Sequence, residues 1–268
     1  MALYKFPKRQ EDMRILLSND DGVRAPGMKV LERIARKLTK DVWIVAPENE
    51  QSGAGHSLTF RTPLFISRLA PRRYSVAGTP TDAVLLGIQE VMKDRPPDLV
   101  LSGVNRGENM GDHITYSGTV SAAMEGALLG IPSVALSQQL TDWRRVHWPT
   151  AEKWGPEVLR KLISVSWRMR TLMNVNFPDL PPDQVKGTVV TTQGERVMGG
   201  GIVEARHPRG GRYYWLGPLS LDVKARKGTD LEAAARGYVT VTPIALDLTD
   251  RRGMAPLRKI FPDAAKAK

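Results

Sequence analysis

Arg14-Ile15-Leu16-Leu17-Ser18-Asn19-Asp20-Asp21-Gly22 is the stretch that decides the fold. Ile15-Leu16-Leu17 is a short unbroken apolar run, the pattern of a strand buried on both faces. Polar residues and a glycine follow at once, so a loop begins where the strand ends. Val30, Leu31, Ile34, Ala35 and Leu38 then recur at helical spacing, and Val42 to Ala46 is a second buried run, closed by Pro47. The alternation continues with strands at 64–69 and 73–77, a helix at 80–92, the strand Leu99-Val100-Leu101, a helix over 118–130 and the strand Val134-Ala135-Leu136. Strands separated by helices of this length pair in parallel through right-handed crossovers. The pattern predicts an α/β fold with a Rossmann-like, doubly wound, mostly parallel sheet.

Four segments are expected. Residues 1–12 are polar and aperiodic and read as an N-terminal extension outside the fold; residues 13–140 form the Rossmann-like core. Residues 141–250 hold a helix at 149–166 and strand-like stretches near 172–177, 186–193, 212–216 and 238–244, broken by Pro-Pro and Gly-Gly pairs. This predicts a β-rich C-terminal lobe. Tyr213-Tyr214-Trp215, between glycine breaks, marks a candidate oligomerisation arm. Residues 251–268 are a basic tail.

The 268 residues are 41% hydrophobic and 25% charged, ordinary for a globular chain. No apolar run reaches the roughly 18 residues of a membrane span, and the N-terminus lacks a secretory pattern. The chain has no Cys, which excludes disulfides and thiolate ligands or nucleophiles. A cytoplasmic location and no membrane partner are expected, and any metal must bind through oxygen or imidazole. A net charge of +11 favours anionic partners. Because it is spread along the chain rather than gathered in a stripe, phosphates are expected and nucleic acid is not.

In open α/β sheets ligands bind beyond the carboxyl ends of the strands. After the first strand come Ser18-Asn19-Asp20-Asp21-Gly22; after the second, Pro47 through Ser52-Gly53; after the strand at 99–101, Ser102-Gly103-Val104-Asn105 through Asn109 and Asp112. Adjacent carboxylates at a strand end repel unless a cation or proton neutralises them. A hard divalent cation on Asp20 and Asp21, with hydroxyl and amide oxygens from the other loops, would do so. The plainer alternative makes one Asp a helix cap and the other an Asx turn. Tyr116-Ser117-Gly118-Thr119 opens the next helix and leaves N–H groups free for an anion, with the two hydroxyls as further donors. A phosphate seat beside a metal is what phosphomonoester hydrolysis requires.

These loops, with His56-Ser57-Leu58-Thr59, closely resemble the SurE family of 5′/3′-nucleotidases. Gly78-Thr79-Pro80-Thr81-Asp82, Asn174-Val175-Asn176-Phe177-Pro178, Gly228-Thr229-Asp230 and Gly237 through Pro243 resemble its later blocks, so the match spans Met13 to about Thr249. The resemblance implies a metal-dependent phosphatase of nucleoside monophosphates, with side activity on short polyphosphate, working as a homodimer or homotetramer whose C-terminal lobe reaches into a neighbouring subunit. It implies one Mg²⁺ or Mn²⁺ per subunit on Asp20, Asp21, Ser52 and Asn105. Phosphate contacts fall on Asn109, Ser117, Gly118 and Thr119. The family often has two acids after the Gly of the third loop; here Gly111-Asp112 is followed by His113, which leaves a second acid's role open.

Asp20 and Asp21 are the candidate catalytic residues, either one serving as general base for metal-activated water. The rival chemistry makes Asp20 a nucleophile that forms an aspartyl phosphate. The rival class is a non-catalytic nucleotide- or RNA-binding regulator. His56 and His113 are expected near the site without a ligand role, and His147 is expected to pack between Trp143 and Trp148.

Overall fold

The computed structural model describes residues 3–142, 144–198, 201–217, 220–221 and 225–261. Trp143 and residues 262–268 of the expected tail lie outside them. The chain begins with β1 (Leu3–Tyr4), β2 (Arg14–Ser18), α1 (Pro26–Arg36) and β3 (Asp41–Pro47). β4 (Ile66–Ala70), β5 (Arg73–Val76) and α2 (Pro80–Leu86) follow, α2 running on through a π-helical turn at Gly87–Val91. Next come β6 (Leu99–Arg106), α3 (Gly118–Leu128), β7 (Ser133–Gln138) and α4 (Trp148–Ile163). β8 (Trp167–Arg168), β9 (Thr171–Phe177), β10 (Thr188–Val190) and β11 (Val197–Met198) lead to β12 (Ile202–Arg206) and β13 (Arg212–Leu216). The last elements are β14 (Ser220–Leu221), α5 (Asp230–Ala235), β15 (Val239–Ala245) and α6 (Met254–Leu257).

One sheet of nine strands runs in the order β10-β15-β9-β7-β6-β2-β3-β5-β4. Within it β15 meets β9, and β4 meets β5, antiparallel; all other neighbours are parallel. The α/β reading of the sequence is therefore realised as a mixed, mostly parallel sheet. Ile15 and Leu17 of β2 enter one apolar layer with α1 and α4, while Leu16 enters the opposite layer with α2. Both faces of β2 are thus covered, as its unbroken apolar run requires. Pro26 opens α1 where its missing N–H has no partner to lose, and a capping box of Thr79 and Asp82 opens α2.

The C-terminal part divides its strands. β9, β10 and β15 extend the main sheet, whereas β12 and β13 form a separate hairpin paired from Ile202↔Leu216 to Arg206↔Arg212. The expected helix at 149–166 stops at Ile163, where the Trp167 indole N–H donates to the Leu162 carbonyl at 2.8 Å. Part of the stretch expected to lie outside the fold packs onto it. Leu3–Tyr4 pairs antiparallel with β8, and Phe6 stands edge-on to Tyr4 and Trp167 at 5.1 and 5.2 Å between ring centroids. Three apolar side chains in a polar dozen are too few to register as a period, yet they suffice to cover one corner of the core.

Candidate active site

The chain leaves β2 towards β3 on one side, while β6 lies on the other, so the strand order reverses between β2 and β6. A crevice opens at such a reversal. The loop after β2 folds back tightly: the Asn19 side-chain amide donates to the Gly22 carbonyl at 2.9 Å, and Gly22 has φ +98° with the Glu48 and Asn49 backbone against it. The Val23 N–H donates to the Pro47 carbonyl and the Gln51 N–H to the Asp20 carbonyl, both at 2.8 Å. The loops after β2 and β3 are thereby joined backbone to backbone.

Asp20 is 5% exposed and sits under the start of α3. A Cβ on Gly118 would fall 2.7 Å from the Asp20 Cβ, so only glycine lets the helix come this close. The Thr119 hydroxyl donates to Asp20 Oδ1. Burial raises the Asp20 pKa against the opposing Thr119 hydrogen bond. Asp21 is pushed up to about 7, first by burial and then by the charge of Asp20. A cation beside them would hold both carboxyls ionised.

Asn105 lies at the end of β6, where its Nδ2 donates to the Gly107 carbonyl at 2.9 Å, so its Oδ1 is the atom that could meet a cation. The Ser52 hydroxyl donates to Glu50 Oε1 at 2.9 Å, leaving the lone pairs of its oxygen for a cation. No three of His, Cys, Asp and Glu gather as a metal site among the described residues. A cation held here would rest on two carboxylates with neutral oxygens beside them. That donor set suits a hard ion that keeps part of its water shell, so the residues present fit Mg²⁺ or Mn²⁺.

The start of α3 faces the same cavity, of about 730 Å³, which Asp20, Asp21, Ser52, Asn105, Asn109, Ser117 and Gly118 all line. The Ser117 hydroxyl accepts from the Val120 N–H at 3.0 Å, so its own proton stays available to a ligand. Thr119 departs from expectation. It is wholly buried and outside the cavity lining, and both its hydroxyl and its backbone N–H are committed to the Asp20 carboxyl.

Asp112 stays out of the cavity lining, its Oδ2 accepting from the Arg196 N–H at 2.6 Å. His56 Nε2 lies 3.0 Å from Glu125 on α3 and does not line the cavity, whereas His113 does. Burial, with Arg196 second, lowers the His113 pKa. His147 pairs with Asp179 at 2.7 Å, a polar partner in place of the aromatic packing expected. Glu50, Arg106, Tyr116, Arg144 and Trp148 also line the cavity, although the sequence reading gave them no role. Glu50, two residues before Ser52 on a strand-end loop, carried a usable signal. Arg144 and Trp148 come from a segment with no strand end to flag it.

A family model described as "Survival protein SurE" matches residues 15–200. The 5′-nucleotidase SurE of Paramagnetospirillum magneticum is 55% identical over 249 residues, 93% of this chain and 96% of that protein. That of Erythrobacter litoralis is 54% identical over 251 residues, 93% of this chain and all of that one. The crystal structure of the SurE protein from Aquifex aeolicus superposes with a TM-score of 0.81 at 40% identity, covering 92% of this chain and 99% of that one.

Proposed function

The chain belongs to the SurE family, and from that premise we propose that it hydrolyses nucleoside 5′- and 3′-monophosphates to nucleoside and phosphate. The relatives' name, 5′-nucleotidase, supports the reaction class, that of a phosphoric monoester hydrolase. One observation carries the reading to this site: the start of α3 lies against Asp20, so a cation on the carboxylates and a phosphoryl group on the helix are neighbours.

Asp20, Asp21, Ser52 and Asn105 would hold one Mg²⁺ or Mn²⁺, which supplies charge neutralisation at the phosphoryl group and acidifies water. The Gly118 N–H, the Ser117 hydroxyl and the Asn109 amide bind the phosphoryl oxygens as their charge grows, while Thr119 acts by holding Asp20. Asp20 is held by Thr119, so Asp21, the more exposed of the two, takes the proton of the attacking water. Short polyphosphate presents the same terminal group and is a side substrate on this reading.

Phosphate release from AMP with Mn²⁺, against an EDTA control, tests the proposal. Absence of metal-dependent turnover on every nucleoside monophosphate would favour a non-catalytic binding protein instead. A labelled phosphoenzyme trapped by acid would favour Asp20 as a nucleophile. The β12–β13 hairpin exposes Tyr214 at 57% and Trp215 at 66%, which supports a homodimer or homotetramer joined through this arm. Sedimentation showing only monomer at micromolar concentration would overturn the assembly. No helix among the described residues is long and apolar enough to cross a membrane, and the cysteine-free composition supports a cytoplasmic location.

A further inference from the structure

The loop after β6 has no regular structure of its own where it carries Asn109, yet Asn109 is 7% exposed and held through its backbone and its side chain. Its backbone N–H donates to Asn176 Oδ1 at 2.8 Å. Its carbonyl accepts from Asn176 Nδ2 at 3.1 Å and from Asn174 Nδ2 at 2.7 Å. Its side-chain Nδ2 donates to the Ser137 hydroxyl at 2.8 Å. Asn176 thus grips both backbone groups of one residue with a single amide, as a neighbouring strand would.

The origin of these partners is informative. Asn174 and Asn176 are two apart on β9 and share a face with Leu172, and Ser137 is the β7 residue paired with Asn176. Leu172 joins an apolar cluster with Val120 and Ala123 of α3. The face is therefore one on which leucine packs, and two wholly buried carboxamides replace it where it comes under Asn109. Among the described residues Asn174 Oδ1 has no hydrogen-bond partner, a burial cost that an apolar side chain would avoid. Stability alone does not explain the amides; the placement of Asn109 does.

We propose that Asn176, with Asn174 and Ser137, is a positioning residue for the phosphate seat. It rests on the reading of Asn109 as a phosphate contact. The Asn109 side-chain nitrogen has two N–H groups. Ser137 takes one and thereby fixes the plane of the amide, and the other is left for phosphoryl oxygens in the cavity that Asn109 shares with the start of α3. The seat is then rigid in both its parts before a nucleotide arrives: helix backbone in one, a clamped amide in the other.

Isothermal titration of the Mn²⁺-loaded protein with inorganic phosphate tests this in Asn109→Ala, Asn176→Ala, Asn109→Ala/Asn176→Ala and Ser137→Ala. Loss of a hydrogen bond to a charged ligand predicts phosphate binding weakened about tenfold to a hundredfold in Asn109→Ala and Asn176→Ala. Mn²⁺ affinity should stay within about twofold of the parent, and the double variant should bind phosphate no more than about twofold more weakly than Asn109→Ala, since both act through one contact. Ser137→Ala, which keeps the backbone grip and guards against misfolding of the β9 variants, should weaken phosphate about threefold to tenfold. Asn176→Ala or a folded Ser137→Ala with parental phosphate affinity, or additive losses in the double variant, would overturn the proposal while Asn109 keeps its role. Parental affinity in Asn109→Ala would remove that role and the proposal with it.

Discussion

Gly118→Ala adds one methyl group and should separate stability from activity. An alanine Cβ there would stand 2.7 Å from the Asp20 Cβ and 2.9 Å from its Oδ2, about 0.7 Å short of the 3.4 Å at which ordinary contact begins. Asp20 cannot swing aside freely, because it is buried and accepts from Thr119. Two effects oppose each other in stability. Alanine in a helix gains up to about 1 kcal/mol over glycine, while overpacking costs about 1–3 kcal/mol. The sum is a loss of about 0–3 kcal/mol, which calorimetry would register as a Tm lowered by no more than about 12 °C. Activity has no such compensation. A displacement approaching 1 Å at a reacting centre costs about a hundredfold, so kcat/KM on AMP should fall by about that factor. Mn²⁺ affinity should fall with it. A folded Gly118→Ala protein with kcat/KM within about threefold of the parent would refute the close apposition of α3 and Asp20 as the basis of the site.

Three further outcomes follow from the same geometry. Asp20→Asn and Asp21→Asn, measured singly on AMP at saturating Mn²⁺, should each lose at least about a hundredfold in kcat/KM; either one within about tenfold would remove that residue from the chemistry. Since the metal-free Asp21 carboxyl titrates at about 7 and Asp20 is raised as well, a cation must displace protons below that pH, so Mn²⁺ should bind more tightly at pH 8 than at pH 6. Calorimetric titrations at pH 6 in buffers of different ionisation enthalpy should report net proton release, and identical apparent enthalpies would contradict it. Asp179, whose carboxylate is held below its usual range against burial by Thr141 and His147, ties down the segment that leads to Arg144 and Trp148. Because its folded pKa is depressed, the stability it contributes is present above the usual carboxylate range and lost as pH falls through the lowered value. Asp179→Ala should erase that part of the acid-side loss of Tm and raise KM for AMP more than it weakens phosphate binding.

The strand ends were legible because buried parallel strands must be continuously apolar, and what interrupts them must be a loop. Ile15-Leu16-Leu17 and Leu99-Val100-Leu101 therefore located Asp20, Asp21 and Asn105 without any three-dimensional information. Three features lay beyond that logic. The attachment of Leu3, Tyr4 and Phe6 depends on β8, more than 160 residues away in the sequence, and no local period reports it. The commitment of the Thr119 hydroxyl to Asp20 is a matter of distance between two motifs far apart in the sequence. The buried amides of β9 appear in sequence as Asn174-Val175-Asn176, an alternation that reads as a half-exposed strand, whereas both asparagines are buried under a loop.

Asp230 shows when the site can exist. Its buried carboxylate accepts from the Gly111 N–H at 3.0 Å and the Gly194 N–H at 2.9 Å, and so fastens the loop after β6 to the last third of the chain. With Asn174 and Asn176 it holds that loop by groups that leave the ribosome 60 to 120 residues later. A nascent chain extended only to β7 already carries the four proposed metal ligands, but the clasp on the Asn109 loop has not been made. The Asn109 loop is therefore fastened only when the final strands dock, and on the proposed function the anion seat is completed last.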